Sequence, residues 1–127
     1  MSEGVEARMR LKLNHNDTHY GEGLIPAATL LRLFADCSSE LGIRFNGSDG
    51  YLAAYESANF LKAVYAGDYI EITAKVLSKG NRSRRVGVIA TRSIRSESLG
   101  GGLVTGQVID PPEEVANAVL VSVRPKT

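Results

Sequence analysis

A chain of 127 residues suits one domain whose core needs no disulfide or metal staple. Its 43% hydrophobic and 23% charged content is that of an ordinary globular protein, and a formal net charge of +1 argues against bulk nucleic-acid binding. The single cysteine, Cys37, excludes an internal disulfide; MSEGVEARMR lacks the apolar stretch of a signal peptide and no run reaches membrane-spanning length, so a cytoplasmic protein with no membrane partner is expected.

Residues 1–7 read as a frayed, flexible start. From Arg8 to Asn14 the chain alternates, Met9, Leu11 and Leu13 against Arg8, Arg10 and Lys12, which predicts a half-buried strand. NHNDTHYGEGLIP follows at 14–26 and holds both histidines of the protein, with Asp17, Tyr20 and Glu22 between and after them. Pro26 suits the first turn of a helix, where its missing N–H would have no partner. A helix is predicted from Ala27, with Gly42 as its stop. Leu30, Leu33, Phe34, Cys37 and Leu41 form a stripe at helical spacing, and Leu31 and Ala35 widen it. Few faces of such a helix can be wet, so something must wrap it.

The remainder reads as strand. NGSDG at 46–50 is a turn, and Tyr51 to Val64 has extended character. Tyr69 to Leu77 alternates, with Ile70, Ile72, Ala74 and Val76 on one face. KGN at 79–81 reverses the chain into Ser83–Ile94, where Val86, Val88, Ala90 and Ile94 share a face. Ser96 to about Gly106 is predicted as a flexible Gly/Ser-rich loop. DPP at 110–112 should prevent pairing until a last strand, Val115 to Val123, begins. This order predicts a single α+β domain, one central helix held in a curved antiparallel sheet of about five strands. Its open edges invite a second copy of the chain, so a homodimer is expected.

Three segments carry a family resemblance: NDTHYGEGLIPAATLLRLFADCSSELGIRF, FLKAVYAGDYIE at 60–71 and KGNRSR at 79–84. In order and in residues they resemble the CoA-dependent beta-amino-acyl ammonia lyases (3-aminobutyryl-CoA and beta-alanyl-CoA ammonia lyases) of the hot-dog superfamily. AGDYIE is generic for hot-dog proteins, whereas the Asp17–His19–Tyr20 grouping is much more specific to the lyases. The resemblance implies a homo-oligomer of hot-dog dimers, a hexamer among the possibilities, with an acyl-CoA site at the dimer interface. It implies reversible loss of ammonia from a 3-aminoacyl-CoA to give the 2-enoyl-CoA, with no cofactor beyond the CoA moiety. The alternative on the same fold is an acyl-CoA thioesterase, with Asp17 or Glu40 activating water.

Within that reading Asp17, His19, Tyr20 and Glu56 are the candidate catalytic residues. Asp17 or His19 could take the proton alpha to the thioester, and Tyr20 could donate to the thioester oxygen. The N–H groups of Ala27 and Ala28, unpaired at a helix start, suit the same oxygen. Asn59 is a candidate substrate contact. The family motif has a Glu at that position, and an amide can be neither base nor ammonium anchor. Ala63, where a proline is usual, and Pro26 are further departures. Asn81, Arg82, Ser83 and Arg84 are the expected contacts to the CoA phosphates, because guanidinium forks and turn N–H groups match phosphate geometry.

Each residue also has a plainer reading. Asp17 could tie down the loop through backbone N–H groups, and His19 and Tyr20 could pack. Glu56 could face solvent, as could Asn81–Arg84. His15, Asp17 and His19 alternate by two, but nothing elsewhere completes a ligand set, so no metal site is expected. Glu22, flanked by glycines, is a weak candidate. Cys37 reads as a buried small hydrophobe.

Overall fold

The computed structural model describes residues 4–14, 23–100 and 103–124. Its elements run β1 (Glu6–Lys12), α1 (Ala27–Asn46), β2 (Tyr51–Phe60), β3 (Tyr69–Lys79), β4 (Ser83–Gly100) and β5 (Leu103–Val123). The strands form one sheet in the order β1-β3-β4-β5-β2, with every neighbouring pair antiparallel. The expected architecture of one helix against five strands is what the chain adopts. No helix among the described residues is long and apolar enough to cross a membrane.

The core lies where the helical stripe meets the inward rows of the strands. Leu30, Leu33, Phe34, Cys37 and Leu41 pack against Ile70, Ile72, Val86, Val88 and Leu120, all buried. Strand alternation supplies one inward row per strand and the helix supplies the facing stripe. Burial pushes the Cys37 thiol up to about 12, with Glu40 and Asp36 adding to the rise. Its Sγ lies 3.6 Å from the Ala7 carbonyl, as befits a core residue.

Several boundaries differ from the sequence reading. β1 starts at Glu6, because pairing with β3 begins at Glu6–Lys75 and Ala7 is buried in the core. The helix runs through Gly42 to Asn46 and stops at Gly47, whose φ of 81° is the left-handed cap. Gly42 serves a close approach instead: a side chain there would collide with the Arg84 guanidinium and the Ser48 carbonyl. Pro26 is the residue before the first helical one, at φ −70° and ψ 151°.

The expected loop at 96–106 is largely strand. Ser96 pairs with Gly106, Glu97 with Thr105 and Gly100 with Leu103, so β4 and β5 form a long hairpin. DPP interrupts pairing without ending it: the register jumps from Arg92–Glu113 to Ile94–Val108, and the ladder continues on both sides. A strand flanked by a paired neighbour tolerates such a bulge, since only the inserted residues lose partners.

Candidate active site

At the start of α1 the chain entering the helix is zipped to the segment that follows β2. Ile25 N–H donates to the Val64 carbonyl at 3.0 Å, Ala66 N–H to Gly23 at 2.9 Å, and Leu24 bridges Tyr65. Between these segments opens a cleft of about 250 Å³, lined by Ala27, Leu30, Phe60, Lys62 and Val64 among others. No side chain caps this end of the helix among the described residues, and Ala27 and Ala28 are exposed. Ala27 lines this cleft, and first-turn N–H groups without a side-chain cap are the kind of donor that an oxyanion needs.

Behind the cleft lies a buried charge network. Asp68 is fully buried; its carboxylate accepts from Tyr65 N–H at 2.9 Å, Ser96 N–H at 3.0 Å and Arg92 at 2.9 Å. Arg92, 4% exposed, also donates to the Ala63 carbonyl at 3.0 Å and to Glu113 at 2.9 Å. Glu113 further accepts from Lys62 at 2.8 Å and from Arg95 at 3.2 Å. Lys62, foremost, and Arg92 hold its carboxyl down at about 2. The generic AGDY segment is thereby explained: Gly67, at φ 96°, has no room for a side chain against Ser96, and the Asp68 carboxylate ties its own turn to β4. Arg92 through the Ala63 carbonyl, and Glu113 through Lys62, set the wall of the cleft.

At the other end of α1 a second cleft, of about 260 Å³, gathers Lys79, Asn81, Arg82, Ser83, Arg84 and Arg124 beside Phe45. The four expected CoA-contacting residues are therefore brought together. Gly80 N–H donates to the Ser83 carbonyl at 2.7 Å, closing the turn, and Arg124 N–H donates to the Arg82 carbonyl at 2.7 Å. Arg84 is 5% exposed and donates to the carbonyls of Ser48 at 3.2 Å and Asp49 at 3.4 Å. Its Nε has no partner among the described residues. Burial, foremost, and the neighbouring Arg124 lower its pKa, against the opposite pull of Asp49.

Glu56 and Asn59 stand apart from both clefts. Glu56 forms an ion pair with Arg85 at 2.9 Å, on the face turned from the helix, since Arg84 and Val86 on either side are buried. Asn59 donates to Asn117 at 3.0 Å, and Asn117 to Glu114 at 2.8 Å. A regular strand would place Glu56 and Asn59 on opposite faces. A register shift between Tyr55 and Ser57 breaks the alternation, so Glu56 joins the outer face with Asn59, which pairs opposite Asn117. On the helix, Glu40 is paired with Arg44 at 2.7 Å and Asp36 with Arg32 at 3.4 Å. Asp17, His19 and Tyr20, with His15 and Glu22, lie outside the described residues.

A model of the thioesterase superfamily matches residues 23–98. The chain belongs to that superfamily. Among curated proteins it is similar to a 3-aminobutyryl-CoA ammonia lyase of Acetoanaerobium sticklandii, 38% identical over 82 residues, a match covering 65% of each chain. The matched region thus spans less than two thirds of that relative. Among solved structures it resembles the beta-alanyl-CoA:ammonia lyase from Clostridium propionicum, with a TM-score of 0.86 at 21% identity over 93% of this chain and 83% of that one. It also resembles a hexameric hotdog fold thioesterase of Campylobacter jejuni, with a TM-score of 0.72 at 20% identity over 93% and 81%. The thioesterase-superfamily architecture here is therefore the hot-dog fold expected from the sequence.

The charge network is what the sequence reading missed. Its signal lay in β4, where Arg84, Val86, Val88, Ala90 and Arg92 share one phase of the alternation. A charge in an inward row is either at a site or in a buried pair.

Proposed function

We propose that this chain is an acyl-CoA lyase that reversibly eliminates ammonia from a 3-aminoacyl-CoA such as 3-aminobutyryl-CoA, giving the 2-enoyl-CoA. The 38% identity to a relative named for that reaction carries the reading. The uncapped helix start above a small cleft supports it, because the thioester must spread negative charge onto its oxygen when the alpha proton leaves. The N–H groups of Ala27 and Ala28 hold that oxygen. Asp17 or His19 accepts the alpha proton, Tyr20 assists at the oxygen, and the C–N bond pair departs with nitrogen as ammonia. Glu56, engaged by Arg85, has no part in this scheme. Asn59, on the outer face, takes the place of a carboxylate without its charge. The reaction uses no cofactor beyond the CoA of the substrate and runs in the cytoplasm.

The CoA phosphates lie in the basic cleft of Asn81, Arg82, Ser83 and Arg84. Within one chain that cleft is a whole helix away from the acyl cleft, about 30 Å for 20 residues at 1.5 Å each. That exceeds the reach of the pantetheine arm. Two copies resolve the distance. β2 is an edge strand with Tyr51, Leu52 and Phe60 exposed. Antiparallel two-fold pairing of β2 sets the basic end of one protomer near the acyl cleft of its partner. The active unit is thus a homodimer, and the hexameric neighbour supports a larger homo-oligomer built from it.

The test follows crotonyl-CoA with ammonium salts by enoyl absorbance and by free thiol. Loss of the enoyl band without free CoA supports the lyase. Thiol release with no amine adduct overturns it in favour of the thioesterase, the activity named for the superfamily.

A further inference from the structure

Lys62 differs from every other partner of Glu113. Arg92 is 4% exposed and locked by Asp68 and the Ala63 carbonyl, whereas the Lys62 side chain is 53% exposed and lines the acyl cleft. Arg95, the third partner, is half exposed but does not line that cleft, and Glu113 itself stands behind Lys62 rather than in the lining. One carboxylate oxygen, Oε2, is thus held by the two arginines, and the other, Oε1, is held among the described residues only by the exposed lysine at 2.8 Å. The Lys62 end of this pair is open to solvent, so its ammonium can leave Oε1 for water, whereas Arg92 on Oε2 is enclosed. The species that can exchange with Lys62 is another primary ammonium, with the same charge and the same three donors.

We propose that Glu113 Oε1 is an ammonium subsite of the acyl cleft, occupied by Lys62 when the cleft is empty and by the 3-ammonium group of the substrate when it is filled. The swap leaves the network's charge unchanged, so Arg92 and Arg95 need not rearrange. Arg92 stays on Oε2 in both states, so the carboxylate keeps a buried cation when Lys62 leaves. The subsite provides a carboxylate for the amine in a chain that has Asn59 on the outer face. This inference rests on the lyase reading for its substrate class, yet it is read by binding rather than by turnover.

The readout is the ratio of the dissociation constants of propionyl-CoA and beta-alanyl-CoA, which differ by the 3-ammonium group, measured by calorimetry in an Asp17→Asn, His19→Gln background so that the amine is not eliminated during the titration. In Lys62→Met the competing cation is gone, and the preference for beta-alanyl-CoA should rise by about fivefold, the scale of an exposed ion pair. In Glu113→Gln the preference should fall by about tenfold or more, as expected for losing a charge-assisted hydrogen bond. In the double variant the gain from Lys62→Met should vanish. An unchanged ratio in Lys62→Met, or its gain persisting in the double variant, overturns the subsite. Should Glu113→Gln fail to fold, Lys62→Met alone decides. If the wild type forms no adduct with ammonium while the ratios move as stated, the lyase reading fails and the subsite stands.

Discussion

Arg84 and Arg92 occupy the same inward row of β4, eight positions apart, and both are nearly inaccessible. Their surroundings are opposite. Arg92 meets two carboxylates, Asp68 and Glu113, and a carbonyl. Arg84 meets carbonyls and the ring of Phe45, with Arg124 adding charge of its own sign. A buried cation matched by carboxylates is part of the scaffold. One held by neutral acceptors, in a cleft with Lys79, Arg82 and Arg124, leaves positive charge over for an anion. The two ends of one row thus differ, one shaping the cleft at the helix start and the other standing among basic residues at the helix end.

The sharpest way to break this contrast is Arg92→Met. It strands Asp68 without its counter-ion and should cost about 3–5 kcal/mol in urea unfolding. A loss below about 1 kcal/mol would show that the network holds nothing together. Next in size, Asp17→Asn and His19→Gln should each slow ammonia addition by at least about 10²-fold while leaving the unfolding midpoint unchanged. An undiminished Asp17→Asn enzyme removes that residue from the chemistry.

At the basic end, Arg82→Ala should weaken CoA binding by about tenfold, with little change in stability because the side chain is exposed. That loss should shrink in high salt, since the attraction is screened. If it weakens propionyl-pantetheine, which lacks the nucleotide phosphates, to the same degree, the cleft is not a phosphate site. The smallest effect concerns pH. Glu113 has its folded-state pKa lowered from 4.5 to about 2. Its contribution is therefore complete above about pH 4.5 and is lost as pH falls toward 2. The stability gap between wild type and Glu113→Gln should close over that window, and a gap independent of pH would separate Glu113 from the network.

Much of the fold was legible from periodicity. The alternation at Tyr69–Leu77 and Ser83–Ile94 identified β3 and most of β4, and the stripe from Leu30 to Leu41 identified α1, because burial on one face imposes a period of two on a strand and of about 3.6 on a helix. Local punctuation misled. Gly42 read as a stop, yet it makes room for Arg84; DPP read as a terminator, yet β5 bulges and continues; Ser96–Gly106 read as loop, yet cross-strand pairing recruits it. Each depends on a neighbour distant in sequence, which a local signal cannot report. The basic residues 81–84 meet Arg124 and Phe45 in one cleft, which spacing alone does not tell, while Glu56 was moved to the outer face by a bulge that leaves no mark in composition.

The amino-acid order by itself determined which residues face the core, since that follows from spacing and hydrophobicity alone, and through the NDTHYGEGLIP and AGDYIE segments it indicated the superfamily. Only the tertiary structure decided what the charged residues do. Arg84 and Arg92 are indistinguishable in sequence, same type and same phase of one strand. Their roles diverge because the chain returns Asp68 and Glu113 to one of them and backbone carbonyls to the other. Electrostatic function depends on distances across the fold, and those are fixed only when the sheet closes on its helix.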